Sequence, residues 1–421
     1  MEKLRATVAQ IAATADKRLP ELPVLHRSLL PLLSLASCFY RLYLYLRRRL
    51  YLSALLRCRR QNHYLIFVFY LHHLYWVMTI IYIFLFRFPV PVISVGNLTW
   101  GGNGKTPMVE FIARYLDELG IPPLILSRGY AGGDEAKMLQ RHLSKTSVKI
   151  GVGANRSAAA AEMFERYGCM ELGSVLHSEA PLSPFKSGPH LRTEMIGVVL
   201  LDDGMQHWSL FRNVEVVMIN GLSPWGNNHL IPRGSLREPL DALCRAHIGV
   251  IHHADLVSGT RLKNIVSTVQ KIHPSLPIFF SRLSPMFLFE VKNPHSKLPL
   301  ALAINMVILC VSAIGFPDAF IRGIEELGPL HVDRLDFSDH HSIELNDINL
   351  IRKILTRLQI RFGVKVIVLV TEKDYDRDPN ILREVDDFQI MVLCSSLQIM
   401  PFEDRTEEDF RMNLKKLLLS T

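Results

Sequence analysis

The sequence lacks any cysteine pattern of the kind that zinc sites or disulfide scaffolds use. It has no CxxC pair and no matching Cys/His spacing. The six cysteines lie far apart, at Cys38, Cys58, Cys169, Cys244, Cys310 and Cys394. This distribution indicates free thiols in a reducing compartment.

The sequence also lacks an even spread of positive charge, although its formal net charge is +8. Residues 1–60 hold twelve Lys and Arg against three Asp and Glu, whereas the remainder is close to neutral. A nucleic-acid-binding domain needs a basic face, so we expect no nucleic-acid partner. The basic residues lie beside apolar segments, which favours contact with an anionic membrane surface.

Global disorder is excluded because 49% of the 421 residues are hydrophobic, enough for two or three buried cores. From residue 88 onward, short β-branched runs alternate with helical spacing. The predicted strands cover residues 90–95, 124–127, 198–201, 214–219 and 248–252. This repetition predicts an α/β fold with a mainly parallel sheet and helices on both faces.

A second, smaller α/β region is predicted beyond residue 300, with strands at 307–311 and 364–370. The predicted organisation is an N-terminal segment over residues 1–87, a first domain over 88–290 and a C-terminal domain over 300–421. Residues 285–299 are a candidate hinge between the two domains. In this interpretation the C-terminal domain closes a cleft against the first domain.

The N-terminal segment is basic and apolar. Residues 24–57 alternate apolar runs with arginines, as a helix lying in a membrane interface does, although an ordinary surface helix has a similar pattern. Residues 64–86 carry no formal charge and are long enough to cross a bilayer. A translated intron is the alternative interpretation of that stretch. Residues 1–20 carry only a weak organellar targeting pattern.

The clearest chemical motif is a glycine-rich loop between the first strand and the first helix of the α/β region. Its residues are Gly101, Gly102, Asn103, Gly104, Lys105 and Thr106. Such a loop binds nucleotide phosphates through backbone N–H groups, with the lysine on the transferred phosphate and the Thr hydroxyl on Mg²⁺. The strict pattern has glycine where this chain has Thr99. The motif predicts a P-loop NTPase-type domain that binds ATP and Mg²⁺.

A second candidate motif ends the apolar strand at 198–201, where Asp202 and Asp203 follow directly. Strand-terminal carboxylates at this sheet edge can bind Mg²⁺, whereas an isolated Asp pair often marks only a turn. A kinase also needs a group that accepts the proton of the acceptor hydroxyl. Residue type and spacing alone leave several candidates open, namely Asp134, Asp202, Asp339, His340 and His341.

The order of further motifs resembles the tetraacyldisaccharide 4′-kinase family, the lipid A 4′-kinases. The resemblance is carried by SVGNLT (94–99), GGNGKTP (101–107), LSRGY (126–130), DDGMQH (202–207), GNNHLIP (226–232), LREPL (236–240), FSDHH (337–341) and TEKD (371–374). It implies transfer of the ATP γ-phosphoryl group to the 4′-hydroxyl of a membrane-embedded glycolipid, tetraacyldisaccharide 1-phosphate, giving lipid IVA. For a plant-like member it also implies a mitochondrial membrane.

The resemblance also implies roles for individual residues. Asp134 matches the general base and His340 matches the histidine that orients it, while Lys105 matches the catalytic lysine. The implied Mg²⁺ ligands are Thr106, Asp202, Asp203, Gln206 and Glu238. This chain departs from the family in two places. The connection between Tyr130 and Gly133 is shorter than in the family, and Ala136 stands where the family has proline.

Two alternatives to a lipid kinase fit parts of the pattern. A nucleotide-switch or metal-insertion NTPase would use the same phosphate loop without a lipid acceptor. A kinase homologue with impaired catalysis would retain the fold. The short connection before Asp134 keeps that alternative open, whereas the intact motif residues argue against it, namely Lys105, Thr106, Asp202, Asp203 and His340. Within TEKD (371–374), a charged turn after a strand can recognise a purine base or can be a plain charged loop.

Overall fold

The computed structural model describes residues 2–52, 87–129, 133–170, 195–383 and 388–420. The predicted membrane-spanning stretch at 64–86 and its intron alternative therefore lie outside the described residues. A single sheet runs through the described part of the α/β region. Its strands are β1 (Val92–Asn97), β2 (Pro123–Ser127), β3 (Lys149–Val152), β4 (Val198–Asp202), β5 (Val214–Asn220), β6 (Ile248–His252), β7 (Ile278–Glu290), β8 (Asn293–Leu298), β9 (Val307–Ser312), β10 (His331–Asp336), β11 (Val366–Thr371) and β12 (Gln389–Met400).

The helices alternate with these strands along the chain. They are α1 (Glu2–Ala13), α2 (Val24–Leu52), α3 (Lys105–Glu118), α4 (Asp134–His142), α5 (Arg156–Tyr167), α6 (Gly259–Ile272), α7 (Pro317–Glu325), α8 (Leu345–Phe362), α9 (Glu372–Arg377), α10 (Pro379–Arg383) and α11 (Glu407–Leu419). The predicted α/β fold with a mainly parallel sheet is confirmed, since each β-strand pair except β7–β12 and β7–β8 in the described sheet is parallel.

The strand order is β10-β9-β11-β12-β7-β6-β5-β1-β4-β2-β3. We call the part around β1 to β6 the N-terminal lobe and the part around β9 to β12 the C-terminal lobe. The long strand β7 joins them, because it pairs in parallel with β6 and antiparallel with β12. The candidate hinge is thus occupied by β7 and β8 rather than by an open loop.

Buried β-branched and leucine side chains explain why the strands form here. β1, β4, β5 and β6 are buried along their whole length, as expected for strands covered on both faces. Helix α11 returns from the C-terminal lobe to the N-terminal lobe, where Phe410 packs edge-on against Phe111 and Phe279. The division into two domains stays a prediction, and the two lobes share both a sheet and this final helix.

Helix α2 lies against the N-terminal lobe with one face and exposes the other. Ser37, Tyr40 and Leu44 are on the docked face. The opposite face carries exposed large apolar side chains, which we call the apolar stripe: Leu25, Leu32, Leu35, Phe39, Leu42, Tyr43 and Leu46. By length and composition, the stretch Val24–Arg49 is long and apolar enough to cross a membrane.

Candidate active site

The phosphate loop connects β1 to α3 at the carboxyl edge of the sheet. Gly101 and Gly104 have φ values of +109° and +74°, a region that favours glycine. A Cβ atom on Gly104 would also lie 2.5 Å from Cδ2 of the buried His252. Glycine is therefore required at position 104 by both backbone conformation and space. Helix α3 begins directly afterwards at Lys105, so its free N–H groups face the loop.

Thr99, which stands where the strict pattern has glycine, stabilises the phosphate loop through hydrogen bonds. Its backbone carbonyl accepts hydrogen bonds from Nδ2 of Asn97 at 2.7 Å and of Asn103 at 3.2 Å. Its hydroxyl donates to Oδ1 of Asn103 at 3.3 Å. Thr99 does not have a positive φ, so no glycine is needed at this position. The threonine is compatible with a complete phosphate loop.

The two carboxylates after β4 face the start of α3. The hydroxyl of Thr106 donates to Oδ2 of Asp202 at 3.0 Å, and Nζ of Lys105 lies 3.7 Å from Oδ1 of Asp203. Oδ1 of Asp202 is buried and accepts no hydrogen bond. Burial, together with the nearby negative charges of Glu135 and Asp203, raises the pKa of Asp202. A carboxylate oxygen of this kind, buried beside a Thr hydroxyl and without a donor, fits a Mg²⁺ ion.

Asp203 has its own cation. Nη1 of Arg237 donates to both Asp203 oxygens, at 2.7 and 2.9 Å. Burial opposes ionisation, but Lys105 and Arg237 hold the pKa of Asp203 below its usual range. Asp203 also has a φ of +53°. Both the turn geometry and the ion pairs therefore fix its carboxylate toward Lys105.

Gln206 and Glu238, the further predicted metal ligands, contact each other beside this pair. Nε2 of Gln206 donates to Oε1 of Glu238 at 3.1 Å, and Arg245 donates to both Glu238 oxygens. No group of three or more His, Cys, Asp and Glu side chains with metal-binding geometry occurs in the described part of the chain. A metal ion here would need ligands from a bound nucleotide, as phosphate-loop sites use.

Two contacts join members of the group of candidate bases: Asp134 contacts His340, and Oδ1 of Asp339 lies 3.8 Å from Nε2 of the same histidine. Oδ2 of Asp134 lies 3.3 Å from Nδ1 of His340, although the two residues are 206 positions apart. The alternatives have other neighbours: Asp202 bonds Thr106, His341 lies 2.8 Å from Oδ2 of Asp347, and Asp339 lies 3.6 Å from Nζ of Lys373. Asp134 is the first residue of α4 and is 1% exposed.

Burial opposes the ionised form of Asp134, yet its surroundings favour that form more strongly. The hydrogen bond to His340, the charge of Lys373 and the hydrogen bond to Arg377 hold the pKa of Asp134 below its usual range. Neither Lys373 nor Arg377 was among the predicted site residues. Lys373 lies within the recognised TEKD motif, whereas Arg377 is one helical turn further and carried no signal of its own.

The TEKD segment is the start of helix α9 rather than a loop. Thr371 is its N-cap and accepts a hydrogen bond from the backbone N–H of Asp374. Asp374 is 3% exposed, and its oxygens accept hydrogen bonds from Thr371, the N–H of Ala313 and Arg377. Because these donors occupy the carboxylate, the structure favours a supporting role for Asp374 over recognition of a purine base.

The two lobes meet directly over the phosphate loop. A Cβ atom on Gly315 of the C-terminal lobe would lie 2.8 Å from the backbone nitrogen of Gly102 and 3.0 Å from Oδ2 of Asp339. The turn before α7 therefore contacts the phosphate loop. The loop that carries His340 packs against this turn. The loop of Asp339 and His340 is thus close to the phosphate loop, at the contact between the two lobes.

Helix α2 contacts the same site from the N-terminal segment. The hydroxyl of Tyr40 donates to the carbonyl of Arg237 at 2.9 Å, and Arg47 donates to the carbonyl of Gln206 at 3.2 Å. Both acceptors belong to the loops around Asp203. The apolar stripe therefore lies on a helix that is docked beside the phosphate loop.

The chain matches a known protein family along most of its length. The family model described as tetraacyldisaccharide-1-P 4′-kinase matches residues 66–133 and 131–417. The two matched stretches meet just before Asp134, where the chain departs from the family. Over 423 residues the chain is 48% identical to the probable mitochondrial tetraacyldisaccharide 4′-kinase of Arabidopsis thaliana, covering 99% of this chain and 98% of that protein.

More distant relatives agree. A tetraacyldisaccharide 4′-kinase of Halothermothrix orenii is 33% identical over 67% of this chain and 73% of its own length. The fold is similar to that of LpxK from Aquifex aeolicus, solved in complex with ATP, with a TM-score of 0.55 and 20% identity over 94% of this chain and all of that one. The chain therefore belongs to the tetraacyldisaccharide 4′-kinase family.

Proposed function

We propose that this protein transfers the γ-phosphoryl group of ATP to the 4′-hydroxyl of a tetraacyldisaccharide 1-phosphate, a lipid A precursor. The observation that carries the proposal is the phosphate loop, where Lys105 and Thr106 face Asp203 and Asp202. This arrangement suits a nucleoside triphosphate with Mg²⁺. The names of the relatives supply the acceptor.

The N-terminal lobe would bind the nucleotide. Backbone N–H groups of the phosphate loop and of the first turn of α3 neutralise phosphate oxygens, and Lys105 turns from Asp203 to the transferred phosphoryl group. Mg²⁺, when bound, neutralises further phosphate charge. Thr106 and Asp202 would hold the ion, with Asp203, Gln206 and Glu238 as the further proposed ligands.

The region around Asp134 and His340 would deprotonate the acceptor hydroxyl. The carboxylate of Asp134 accepts the proton of the 4′-hydroxyl as the oxygen–phosphorus bond forms, and the bond from the γ-phosphorus to the ADP oxygen breaks. His340 holds the carboxylate in place at 3.3 Å. Because phosphoryl transfer has a loose transition state, positioning and charge neutralisation account for most of the rate.

We also propose that the apolar stripe of α2 rests in a membrane. Its large side chains are more than half exposed, for example 63% for Leu32 and 64% for Phe39, which suits insertion into the acyl boundary of a bilayer. The arginines near the end of the helix suit anionic headgroups. The name of the Arabidopsis relative and the basic N-terminus support a mitochondrial membrane.

Transfer of ³²P from ATP to a purified tetraacyldisaccharide 1-phosphate in detergent tests the activity. The wild type is expected to label the lipid, and Asp134→Ala to lose about 10²–10⁴-fold in rate. Asp404→Ala, which changes an exposed carboxylate, serves as the matched control and is expected to match the wild type. Release of labelled phosphate without labelled lipid would contradict the proposal and favour a nucleotide hydrolase.

Sedimentation with vesicles that contain an anionic phospholipid tests the membrane surface. Replacing Leu35 and Phe39 of the apolar stripe with asparagine is expected to reduce the bound fraction. The matched control is Ile360→Asn, because Ile360 is 80% exposed on α8 and lies outside the stripe. Equal binding by all three proteins would remove the stripe from the proposed membrane contact.

A further inference from the structure

Arg377 is an arginine whose side chain is only 6% exposed at the contact between the two lobes. Its guanidinium donates to four groups. They are Oδ2 of Asp134 (2.9 Å from Nη2 and 3.3 Å from Nε), Oδ1 of Asp374 (3.0 Å), the carbonyl of His341 (2.9 Å) and the carbonyl of Ala313 (3.3 Å). A buried guanidinium is tolerated only with such complete pairing.

The ion pair between Arg377 and Asp134 crosses from one lobe to the other. Arg377 ends helix α9 in the C-terminal lobe, whereas Asp134 begins helix α4 in the N-terminal lobe. Asp374 and the two carbonyl acceptors come from the C-terminal lobe as well. Arg377 is therefore fixed within its own lobe and presents its remaining donors to Asp134.

The donors around Asp134 define the orientation of its carboxylate. Oδ1 accepts the backbone N–H of Glu135 at 2.9 Å, within the same helix. Oδ2 accepts the donors that come from the other lobe, Arg377 at 2.9 Å and His340 at 3.3 Å. Without the C-terminal lobe, Asp134 would keep only the bond to its own helix.

We propose that Arg377 is a positioning residue that completes a three-residue unit with Asp134 and His340, and that this unit is assembled only when the two lobes are in contact. The inference rests on the proposed function of Asp134 as the group that accepts the hydroxyl proton. Arg377 takes no proton itself. Two N–H groups of its planar fork converge on Oδ2 while the N–H of Glu135 holds Oδ1, an arrangement that a neutral or shorter side chain cannot reproduce.

The surroundings of Asp134 give the proposal a pH signature. The charged and titratable groups that face it are Glu135 on α4, Asp339 and His340 on the preceding loop of the C-terminal lobe, and Lys373, Asp374 and Arg377 on α9. Burial alone would raise the pKa of Asp134, and Arg377 is one of the groups that lower it. Removing the guanidinium should therefore move the acid limb of the rate profile to higher pH.

The test compares the pH profiles of kcat/KM for lipid phosphorylation in the wild type, Arg377→Gln and Arg377→Lys. Arg377→Gln is expected to move the acid limb up by about one pH unit or more and to lower the rate by about 10²-fold. Arg377→Lys, which keeps the charge, is expected to restore the position of the limb but only part of the rate. The matched control is Arg383→Gln, an exposed arginine on the next helix. An unchanged limb in Arg377→Gln would overturn the proposal.

A thermal double-mutant cycle with Asp134→Asn and Arg377→Gln keeps the test independent of activity. The double variant is expected to melt at a higher temperature than additivity predicts. Arg377→Gln alone leaves the buried carboxylates of Asp134 and Asp374 without their cation, and Asp134→Asn removes one of these two charges. If Arg377→Gln alone does not fold, the added Asp134→Asn is expected to rescue folding. Additive effects on the melting temperature would overturn the ion pair. Absence of lipid labelling by the wild type would instead overturn the proposed function. The double-mutant cycle would still test the ion pair between Asp134 and Arg377.

Discussion

The phosphate loop and the Asp134 region, which we call the first and the second wall of the candidate site, are built in different ways. The phosphate loop is one contiguous stretch in which backbone N–H groups and glycine conformations do most of the binding. The Asp134 region is assembled from side chains far apart in sequence, at Asp134, His340 and Arg377, and from both lobes. The first wall is formed by local conformation, and the second exists only through tertiary contact.

This difference indicates which function a mutation in each wall should impair. A change in the phosphate loop acts directly on nucleotide phosphates, whether or not the lobes are in contact. A change at the lobe contact should leave the loop intact and disturb the Asp134 unit. Nucleotide binding and phosphoryl transfer are therefore expected to respond separately, and the following changes test that separation from the largest expected effect to the smallest.

Lys105→Ala should have the largest effect, because it removes the positive charge that stabilises the transferred phosphoryl group. We expect lipid labelling to fall by about 10²–10³-fold or more. The fold should survive, since within the described part of the chain the Lys105 side chain pairs with Asp203 alone, at 3.7 Å. Labelling assays with far-UV circular dichroism check both statements. Lys137→Ala, which changes an exposed lysine on α4, is the control. Full activity of Lys105→Ala would contradict the proposed role of the phosphate loop in catalysis.

Gly315→Ala should disturb the contact between the phosphate loop and the C-terminal lobe. The added Cβ would lie 2.8 Å from the nitrogen of Gly102, so the turn before α7 must move away from the phosphate loop. Overpacking of this kind costs about 1–3 kcal/mol, and a loss of that size in transition-state stabilisation corresponds to about 5–160-fold in kcat/KM. Gly323→Ala on α7 is the matched control, because no atom lies within 4 Å of its added Cβ. Equal kinetics for the two variants would show that the turn is not part of the site.

His142 tests the lobe contact through stability. It lies 2.8 Å from Glu110 and 2.6 Å from Glu372, which joins α3 and α4 to α9. Burial opposes its charged form, but these carboxylates raise the pKa of His142 from 6.5 to about 9. A raised pKa in the folded state stabilises the fold at low pH, so this contribution is complete below about pH 6.5 and is lost as pH rises through about 9.

The free energy of unfolding should therefore fall by on the order of 2 kcal/mol between about pH 6.5 and 9. His142→Gln should remove this part of the pH dependence, as measured by urea unfolding at a series of pH values. The exposed His295→Gln is the control and should leave the pH dependence in place. If His142→Gln keeps the wild-type slope, the histidine does not link the lobes electrostatically.

Tyr40→Phe should have the smallest effect. It removes one hydrogen bond from α2 to the carbonyl of Arg237, at 2.9 Å, and leaves the ring in place. We expect a loss of about 1 kcal/mol in the free energy of unfolding and near-normal lipid labelling. Tyr43→Phe, where the hydroxyl lies on the exposed face, is the control. A loss of activity close to that of Lys105→Ala would mean that α2 positions the first wall directly.

The two walls also differ in how far the sequence predicts them. The strand, loop and helix around Lys105 could be predicted because the required glycines and the lysine are contiguous and their spacing has a physical reason. The structure adds that Thr99 replaces a glycine without loss, since its backbone needs no positive φ. Asp134 and His340 could be paired only through the family resemblance, because residue type and spacing left other carboxylates and histidines open.

Arg377 could not be predicted, and the reason is physical. An arginine one turn after a recognised motif usually lies on a solvated helix face, whereas this one is buried by acceptors of its own lobe and by the contact between α4 and α9. The shape of the sheet was likewise only partly predictable. The mainly parallel order follows from alternating strands and helices, whereas the joining strand β7 and the return of α11 depend on contacts between distant segments.

The most direct test of the account is the position of the transferred phosphate. The wild type would be incubated with ATP, Mg²⁺ and a tetraacyldisaccharide 1-phosphate, and the lipid product would be examined by ³¹P NMR with proton correlation. The account predicts a new phosphomonoester on the 4′ carbon, formed in equal amount to ADP. ADP and free phosphate with an unchanged lipid would contradict it.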